Sequence, residues 1–251
     1  MSDSLIIIPT YNESDNIEKL IRKIFSLTRE FHILVIDDNS PDGTAKIVEN
    51  LISSFEGKLF LTHREGKLGL GTAYIEGFKW ALHHDYEYIF EMDADFSHDP
   101  EDLPRLYNVC AKEGYDLAIG SRYIDGVTVI NWPMGRVLMS YYASAYVRFV
   151  TGMKIKDTTA GFKCYKREVL EAIDLDSIRF TGYAFQIEMK FTAWKMGFKI
   201  KEISIIFKDR THGVSKMNKN IFKEAVLGVI SLRLKSFFKN YKSHNSVPAT
   251  N

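Results

Sequence analysis

The sequence predicts an α/β fold built on a doubly wound, mostly parallel sheet, with an amphipathic helix near the C-terminus. Short apolar runs alternate with helical periods through residues 1–120, which is the pattern of repeated βα units. The runs at 5–8 and 33–36 are apolar at every position, as expected for strands covered on both faces. Polar residues follow each run, and ligands of such sheets bind at the carboxyl ends of the strands.

The pattern predicts the elements of the first half in a regular order. Strands are expected at 5–9, 33–37, 59–62, 88–92 and 117–120, separated by helices at 15–27, 43–55, 72–83 and 103–112. After residue 122 the alternation breaks. The second half is expected to contain helices at 134–150, 185–196 and 220–240, and strands at 161–165 and 200–207.

Length and composition favour one domain. A chain of 251 residues with 45% hydrophobic content can bury a large core without a second domain. We expect a single domain over 1–240, made of a first half at 1–121, a second half at 122–218 and a basic amphipathic helix at 219–240. The polar segment 241–251 is expected to be disordered.

The charge is nearly balanced overall but unevenly placed. The formal net charge of +1, without a zinc-ligand spacing or an RNA-recognition motif, argues against a nucleic-acid-binding protein. From Lys208 to Lys242 there are nine Lys and Arg residues and two acids, a local net charge of +7 that leaves −6 for the rest. This concentration of positive charge, called the basic end below, requires a separate explanation.

The cysteines, the N-terminal segment and the apolar runs indicate the compartment in which the protein is expected. Cys110 and Cys164 lie in different predicted elements without a motif, which fits buried thiols in a reducing compartment. No positively charged leader precedes the first strand, so no signal peptide is expected. No apolar run reaches the roughly 18 residues of a transmembrane helix.

The strongest local signal is a pair of carboxylates after the fourth predicted strand. Asp93 and Asp95 stand two residues apart, so both can face one side of the chain. Two close carboxylates repel each other unless a hard divalent cation binds between them, with Ser97 as a third oxygen ligand. The alternative is a set of acids at a helix N-terminus, although residues 99–102 can supply that role instead.

Two other strand ends carry polar residues. Residues 9–13 follow the first strand and 37–44 the second, and in the usual doubly wound order the first strand lies between the second and the fourth. All three ends would then face one crevice, where Asp38 suits a ribose or a base edge and Tyr11 offers a ring for stacking. Ser40 and Asp42 are interpreted as turn and cap residues.

A glycine-rich segment at 64–73 precedes the third predicted helix. Three glycines and Lys67 could bring backbone N–H groups to an anion. The segment is not a Walker loop, because Leu68 stands where that motif needs Ser or Thr after the lysine. Tight packing of helix on strand explains the glycines equally well.

The ordered set of motifs resembles family 2 glycosyltransferases, and within them the dolichol-phosphate and polyprenol-phosphate mannose synthases. The resemblance covers nearly the whole chain and rests on the segments 8–13, 37–44, 66–71, 92–95, 120–123, 157–162, 182–188 and 209–216, with Trp132, Arg136 and Ser140. Two positions depart from the pattern. Many relatives carry Ser-Gly-Phe-Arg where 160–163 reads Ala-Gly-Phe-Lys, and some carry Gln at Ser97.

The resemblance implies a glycosyltransferase A-type fold, with a nucleotide-binding half at 1–121 and an acceptor half at 122–218. It also implies inverting transfer of mannose from GDP-mannose to dolichyl or polyprenyl phosphate, dependent on Mg²⁺ or Mn²⁺. Another donor, such as UDP-glucose or UDP-N-acetylglucosamine, is the alternative. A nucleotide-sugar-binding subunit without turnover is a remote one, since such a subunit would not need a cationic clamp on a leaving group.

The same resemblance assigns roles to individual residues. The guanosine pocket would comprise Pro9, Tyr11, Glu13, Ile36 and Asp38, and the metal and diphosphate site would comprise Asp93, Ala94, Asp95 and Ser97. The catalytic residues would be Asp95, Arg210 and Lys216, of which Arg210 and Lys216 would close over the phosphates. The lipid-phosphate site would comprise Arg122, Arg136 and Ser140. Asp93, Asp95 and Ser97 would bind the metal.

A lipid acceptor gives a reason for the basic end. The helices at 134–150 and 220–240 both combine an apolar stripe with basic residues, as helices at a membrane surface do. Packing on the core and docking of a separate membrane-anchoring subunit are the alternatives for the last helix. We expect a cytoplasmic protein that is peripheral on the cytoplasmic face of a membrane.

Overall fold

The computed structural model describes residues 2–182, 184–209, 219–238 and Tyr241. Its strands are β1 (Ser4–Thr10), β2 (His32–Asp37), β3 (Leu59–His63), β4 (Tyr88–Glu91), β5 (Leu117–Ser121), β6 (Val129–Ile130), β7 (Lys163–Lys166), β8 (Ile200–Ser204) and β9 (Phe207–Lys208). Its helices are α1 (Ile17–Phe25), α2 (Thr44–Ile52), α3 (Leu70–Leu82), α4 (Leu103–Ala111), α5 (Met134–Thr151), α6 (Arg167–Ala172), α7 (Ala184–Lys195) and α8 (Lys219–Lys235).

Seven of the strands form one sheet in the order β3-β2-β1-β4-β7-β5-β8. All neighbours pair in parallel except β7, which is antiparallel to both β4 and β5. The predicted position of the first strand between the second and the fourth is therefore confirmed. The carboxyl ends of β1, β2 and β4 lie at one edge of the sheet.

Helices cover both faces, because side chains alternate along each buried strand. Ile6 and Ile8 of β1 pack with α1, α2 and α4, whereas Leu5 and Ile7 pack with α3 and the helices of the second half. These four side chains have no exposed surface. The continuous apolar runs predicted to be strands covered on both faces are confirmed as such.

The second half departs from the prediction in two places. The strand expected at 200–207 is divided: the chain leaves the large sheet after β8, and β9 pairs with β6 in a separate parallel ribbon. Thr128 Oγ1 stabilises this departure by donating to the Ile205 carbonyl at 2.6 Å. The helix α6 was not predicted, since its six residues are too few to show a helical period.

Several predicted features fall wholly or partly outside the described residues. Helix α8 ends at Lys235 and the described residues 236–238 form a turn, so the predicted helix to 240 was too long. Of the segment 241–251 only Tyr241 is described, with its ring centroid 6.4 Å from that of Phe191. Cys110 and Cys164 are buried free thiols, as predicted. Within the described ranges, no helix combines the length and apolar character needed to cross a bilayer.

Packing explains one of the glycines at the start of α3. A Cβ added at Gly71 would lie 2.7 Å from the Phe180 carbonyl oxygen and 2.8 Å from Cγ of Phe185. A Cβ added at Gly77, two turns on, would lie 2.6 Å from Cγ2 of Ile7. Both glycines let α3 approach its neighbours closely, so close packing accounts for Gly71 without a bound anion.

We predict that Gly77→Ala lowers the free energy of unfolding by about 1–3 kcal/mol, because the new methyl group overpacks the contact with Ile7. Urea denaturation followed by circular dichroism measures this. Gly135→Ala is the matched control, since Gly135 is also helical and has no atom within 4 Å of its added Cβ. That variant should be as stable as the parent or up to about 1 kcal/mol more stable. Equal losses in both variants would contradict the packing argument.

Candidate active site

A cavity of about 490 Å³ opens at the carboxyl ends of β4 and β5. Its polar wall carries Asp93, Asp95 and Ser97 from the loop after β4, with Arg122, Arg136 and Ser140 from the second half. Its apolar wall is formed by Met139, Tyr142, Ala143, Tyr146 and Val147 of α5, Ile187 of α7, and Val226 and Val229 of α8. The predicted metal residues and the predicted lipid-phosphate residues therefore line one space.

The loop after β4 places its two carboxylates by a tight turn. Phe96 adopts a left-handed backbone with φ 59°, a conformation that is costly for a bulky residue and is typical of functional loops. Asp95 is 8% exposed, and its Oδ1 accepts hydrogen bonds from the Ser97 backbone N–H at 3.0 Å and from Ser97 Oγ at 2.5 Å. Asp93 Oδ1 accepts a hydrogen bond from the Tyr74 hydroxyl at 3.4 Å.

These oxygen atoms are the type of ligand that Mg²⁺ and Mn²⁺ prefer. The described residues contain no group of three or more His, Cys, Asp and Glu side chains suited to a metal ion. Two carboxylates and a hydroxyl would thus leave coordination positions for other oxygens, and Mg²⁺ in particular is usually bound by one or two carboxylates together with substrate phosphates. The donor set fits a divalent ion shared with a diphosphate.

His98 also lines the cavity and was not singled out from the sequence. Its Nδ1 accepts a hydrogen bond from the Asp93 backbone N–H at 3.3 Å, and its ring stacks on Phe162 with centroids 4.8 Å apart. Burial lowers the pKa of His98 to about 4, against the opposing effect of Asp95. The neutral imidazole therefore fixes the backbone of the carboxylate loop at pH 7. The sequence feature that could have identified His98 as a site residue is its position directly after Ser97.

The residues predicted for the nucleoside lie beside this cavity rather than in it. Pro9 and Ile36 are register partners at the ends of β1 and β2. Tyr11 is half-buried, and Lys67 Nζ lies 4.9 Å from the centroid of its ring. The Glu13 backbone N–H donates to Thr44 Oγ1 at 2.9 Å. These side chains share the sheet edge with the carboxylate loop because β1 lies directly beside β4.

Asp38 has a partner that sequence reasoning missed. Its Oδ1 accepts a hydrogen bond from Arg64 Nη1 at 2.7 Å, and Arg64 Nη2 donates to Thr72 Oγ1 at 2.6 Å. Burial raises the pKa of Asp38, and the charge of Arg64 opposes this rise. Asp38 is thus held in place by a buried cation before any ligand arrives.

The turn residues have the structural roles predicted for them. Asp42 accepts hydrogen bonds from the backbone N–H of Ser14 and of Thr44, each at 3.0 Å, so it ties the first loop to the start of α2. Ser40 Oγ accepts from the Asn12 N–H at 3.0 Å. Asn12 and Asn39 both have a left-handed backbone, with φ 58° and 56°, which bends the two loops at the same edge.

The predicted lipid-phosphate residues are held by partners in the second half. Asp157, which has no exposed surface, accepts hydrogen bonds at 2.7 Å from both Nε and Nη2 of Arg122. Arg136 Nη1 donates to Asp209 at 2.9 Å, and its guanidinium carbon lies 4.1 Å from the centroid of Trp132. Ser140 Oγ accepts from the Tyr123 hydroxyl at 2.8 Å.

Ala94 lies buried between the two carboxylates, 3% exposed. Arg210 and Lys216, predicted to close over the phosphates, lie outside the described residues. The site described here therefore consists of the carboxylate loop, the Arg122 and Arg136 groups, and the loops that follow β1 and β2.

The model of the family described as Glycosyl transferase family 2 matches residues 5–174. The chain belongs to glycosyl transferase family 2. This glycosyltransferase is 45% identical to the polyprenol monophosphomannose synthase of Mycolicibacterium smegmatis. The alignment spans 226 residues, which are 90% of this chain and 85% of that protein. It is 42% identical to the undecaprenyl-phosphate mannosyltransferase of Micrococcus luteus, over 90% of this chain and 91% of that protein.

Solved structures agree on the fold. The glycosyltransferase superposes on the mannosyltransferase PcManGT of Pyrobaculum calidifontis, solved in complex with GDP-Man and Mn²⁺, with a TM-score of 0.59 and 17% identity over 97% of this chain and 66% of that one. This superposition confirms the predicted glycosyltransferase A-type fold. The family match and the two relatives confirm the predicted enzyme class.

We predict that Asp157→Asn lowers the free energy of unfolding of the glycosyltransferase by about 3–5 kcal/mol, because it leaves the buried Arg122 cation without its counter-charge. Asp176→Asn is the control: Asp176 pairs with Lys79, its side chain is 80% exposed, and the loss should stay below about 1 kcal/mol. Similar losses in the two variants would contradict the assigned strength of the Arg122 pair.

The effect of Asp157→Asn should also depend on pH. Burial alone would raise the pKa of Asp157, but the charge and hydrogen bonds of Arg122 bring it below its ordinary value. A lowered carboxyl pKa stabilises the folded state above the unfolded pKa, about 3.9, and that contribution is lost as the pH falls through the folded pKa. The stability difference between parent and variant should therefore shrink below about pH 4.

Proposed function

We propose that the enzyme transfers mannose from GDP-mannose to dolichyl or polyprenyl phosphate, with inversion at the anomeric carbon. One observation carries the proposal: Asp93 and Asp95 share a cavity with Arg122, Arg136 and Ser140, and that cavity continues between the apolar side chains of α5, α7 and α8. Such a space suits a diphosphate at one end, a phosphate beside it and an isoprenoid chain beyond. The names of the two relatives support mannose and a polyprenyl phosphate.

The acceptor needs orientation more than activation. A lipid phosphate is already an anion at pH 7, so its oxygen can attack the anomeric carbon without a strong general base. Guanidinium groups suit this task because they bind phosphate in bidentate fashion. Arg136 would bind the phosphate with Ser140, while the Asp157 pair would keep Arg122 at a fixed position in the same wall.

The donor would bind across the ends of β1, β2 and β4. Asp38 and Tyr11 would contact the nucleoside, together with Pro9, Glu13 and Ile36. Asp93, Asp95 and Ser97 would hold the Mg²⁺ or Mn²⁺ ion, which stabilises the charge on the departing diphosphate when bound. Arg210 and Lys216 are proposed to add positive charge there, where it lowers the barrier to departure.

Direct displacement would invert the configuration at the anomeric carbon. An acceptor oxygen that attacks opposite the leaving diphosphate converts an α-linked donor into a β-linked mannosyl phospholipid. No side chain needs to form a covalent bond with the sugar, and residues 1–240 would act as one catalytic domain in which the two halves meet at the cavity.

The acceptor also requires access to a membrane surface. Helices α5 and α8 lie side by side, since the Tyr146 hydroxyl donates to the Val226 carbonyl at 2.9 Å. Both carry exposed apolar side chains, including Met134 at 70%, Phe149 at 89% and, just after α8, Phe238 at 93%. Exposed apolar rings next to basic residues such as Lys235 favour an anionic lipid surface. We propose a peripheral enzyme on the cytoplasmic face of a membrane.

We predict that Asp95→Asn reduces metal-dependent transfer by at least about a hundredfold, because one of the two carboxylate ligands is lost. Radiolabelled GDP-mannose, UDP-glucose and UDP-N-acetylglucosamine are supplied separately with a polyprenyl phosphate and Mg²⁺ or Mn²⁺, and label in the organic phase is counted. Only GDP-mannose should deliver label. Label entering from a UDP-sugar alone would overturn the donor assignment.

Asp99→Asn is the matched control for this experiment. Asp99 lies on the same loop but outside the cavity wall, where its Oδ1 accepts a hydrogen bond from the Glu101 N–H at 3.1 Å. Its variant should keep the activity of the parent and the same response to metal concentration. Undiminished turnover of Asp95→Asn would remove Asp95 from the metal site.

We predict that Phe149→Glu and Phe238→Glu each weaken binding to phosphatidylcholine and phosphatidylglycerol vesicles by about tenfold, because each removes an apolar side chain worth about 1.5–3 kcal/mol when buried. Co-sedimentation measures the bound fraction. Leu68→Glu is the control, since Leu68 is 60% exposed but lies on neither helix. If the parent chain does not sediment with vesicles, direct membrane binding is wrong, and the alternative of a separate anchoring subunit replaces it.

A further inference from the structure

A closed ring of buried polar groups lies beneath the cavity floor. Glu91 at the end of β4 and Lys163 at the start of β7 are register partners in the sheet, and the Lys163 ammonium lies 2.9 Å from Glu91 Oε1. Gln186 of α7 closes the ring, because its Nε2 donates to Glu91 Oε2 at 2.6 Å and its Oε1 accepts from Lys163 Nζ. Glu91 and Lys163 have no exposed surface, and Gln186 is 2% exposed.

The two charged partners fix the amide of Gln186 in one orientation. An ammonium can only donate, so it requires the amide oxygen, and a carboxylate can only accept, so it requires the amide nitrogen. Between neutral partners the amide could rotate by 180°. Here that rotation would place its nitrogen against the Lys163 ammonium and its oxygen against the Glu91 carboxylate, and neither pair can form a hydrogen bond. The Tyr165 hydroxyl, which donates to Glu91 Oε1 at 2.9 Å, further fixes the carboxylate.

This amide borders the cavity next to the predicted metal carboxylates. Gln186 belongs to the cavity wall, and its Nε2 lies 3.7 Å from the position that a Cβ on Gly161 would take. The same position lies 3.9 Å from Asp93 Oδ2. An amide nitrogen carries two hydrogens, and Glu91 accepts only one of the two. The absence of a side chain at Gly161 leaves this corner of the cavity to a ligand.

A hexose on a diphosphate held by Asp93 and Asp95 would lie between those carboxylates and the phosphate of the acceptor. We propose that Gln186 donates a hydrogen bond to a hydroxyl group of the donor sugar, and that Glu91 and Lys163 are positioning residues that hold its amide for this contact. The inference rests on the proposed function, because it needs a sugar nucleotide in the cavity. A site built to hydrogen-bond a sugar hydroxyl discriminates strongly against ligands that lack it.

Calorimetric titration of GDP and GDP-mannose in the presence of Mn²⁺ tests the proposal. Gln186→Leu and Lys163→Met should each weaken the binding of GDP-mannose by about tenfold, since the contact with the sugar is lost. The affinity for GDP should stay unchanged. Lys163→Arg keeps a donor opposite Glu91 and Gln186 and should bind both ligands as the parent does. Equal weakening of GDP and GDP-mannose, or no weakening of either, overturns the proposal.

A second measurement needs no variant. Gln186 is the only glutamine in the 251-residue sequence, so selective ¹⁵N-glutamine labelling gives a single pair of side-chain amide signals. These signals should shift on addition of GDP-mannose with Mn²⁺ and stay in place with GDP and Mn²⁺. Identical shifts with both ligands would exclude a contact with the sugar. If the parent chain binds GDP-mannose but transfers none of it, the proposed function fails separately from this inference.

Discussion

The site depends on one constraint, the antiparallel insertion of β7 between β4 and β5. Because β7 runs against its neighbours, the segment 157–162 that leads into it crosses the carboxyl ends of the parallel strands. That segment supplies Asp157, which holds Arg122, and Gly161, which leaves space beside Asp93. The first residue of the strand, Lys163, pairs with Glu91. One short strand thereby joins the carboxylate loop of the first half to the cationic wall of the second.

Buried charge is the cost of this arrangement. Glu91, Asp157, Lys163 and Lys190 have no exposed surface, and each buried ion loses several kcal/mol of hydration in a protein interior. Full hydrogen bonding offsets the loss: Lys190 Nζ donates to the carbonyls of Asp157, Thr158 and Ala160 at 3.3, 2.9 and 2.7 Å. These bonds fix the backbone of the 157–160 segment. The charges that would be unfavourable in an apolar core therefore give the cavity wall a single defined geometry.

The sequence predicted the first half closely, because apolar strands and amphipathic helices alternate there without interruption. The strand order at β2, β1 and β4 follows from that regularity, whereas the expectation that Arg136 belongs to the site came from the family resemblance. Long-range partners could not be predicted in the same way. Arg64 reaches Asp38 from 26 positions away, and the division of β8 from β9 depends on a pairing with β6 that has no sequence signal. The available signs of the buried ring were two charged residues inside predicted strands, Glu91 within 88–92 and Lys163 within 161–165.

The central claim is that one cavity brings a nucleotide sugar and a lipid phosphate together for direct displacement. The most direct test is the anomeric configuration of the product that the parent enzyme forms from GDP-mannose and a polyprenyl phosphate, determined from the one-bond carbon–proton coupling at C1 by nuclear magnetic resonance. The account predicts a β-linked mannosyl phosphate. An α-linked product would contradict it, because retention requires a different arrangement of the reacting groups.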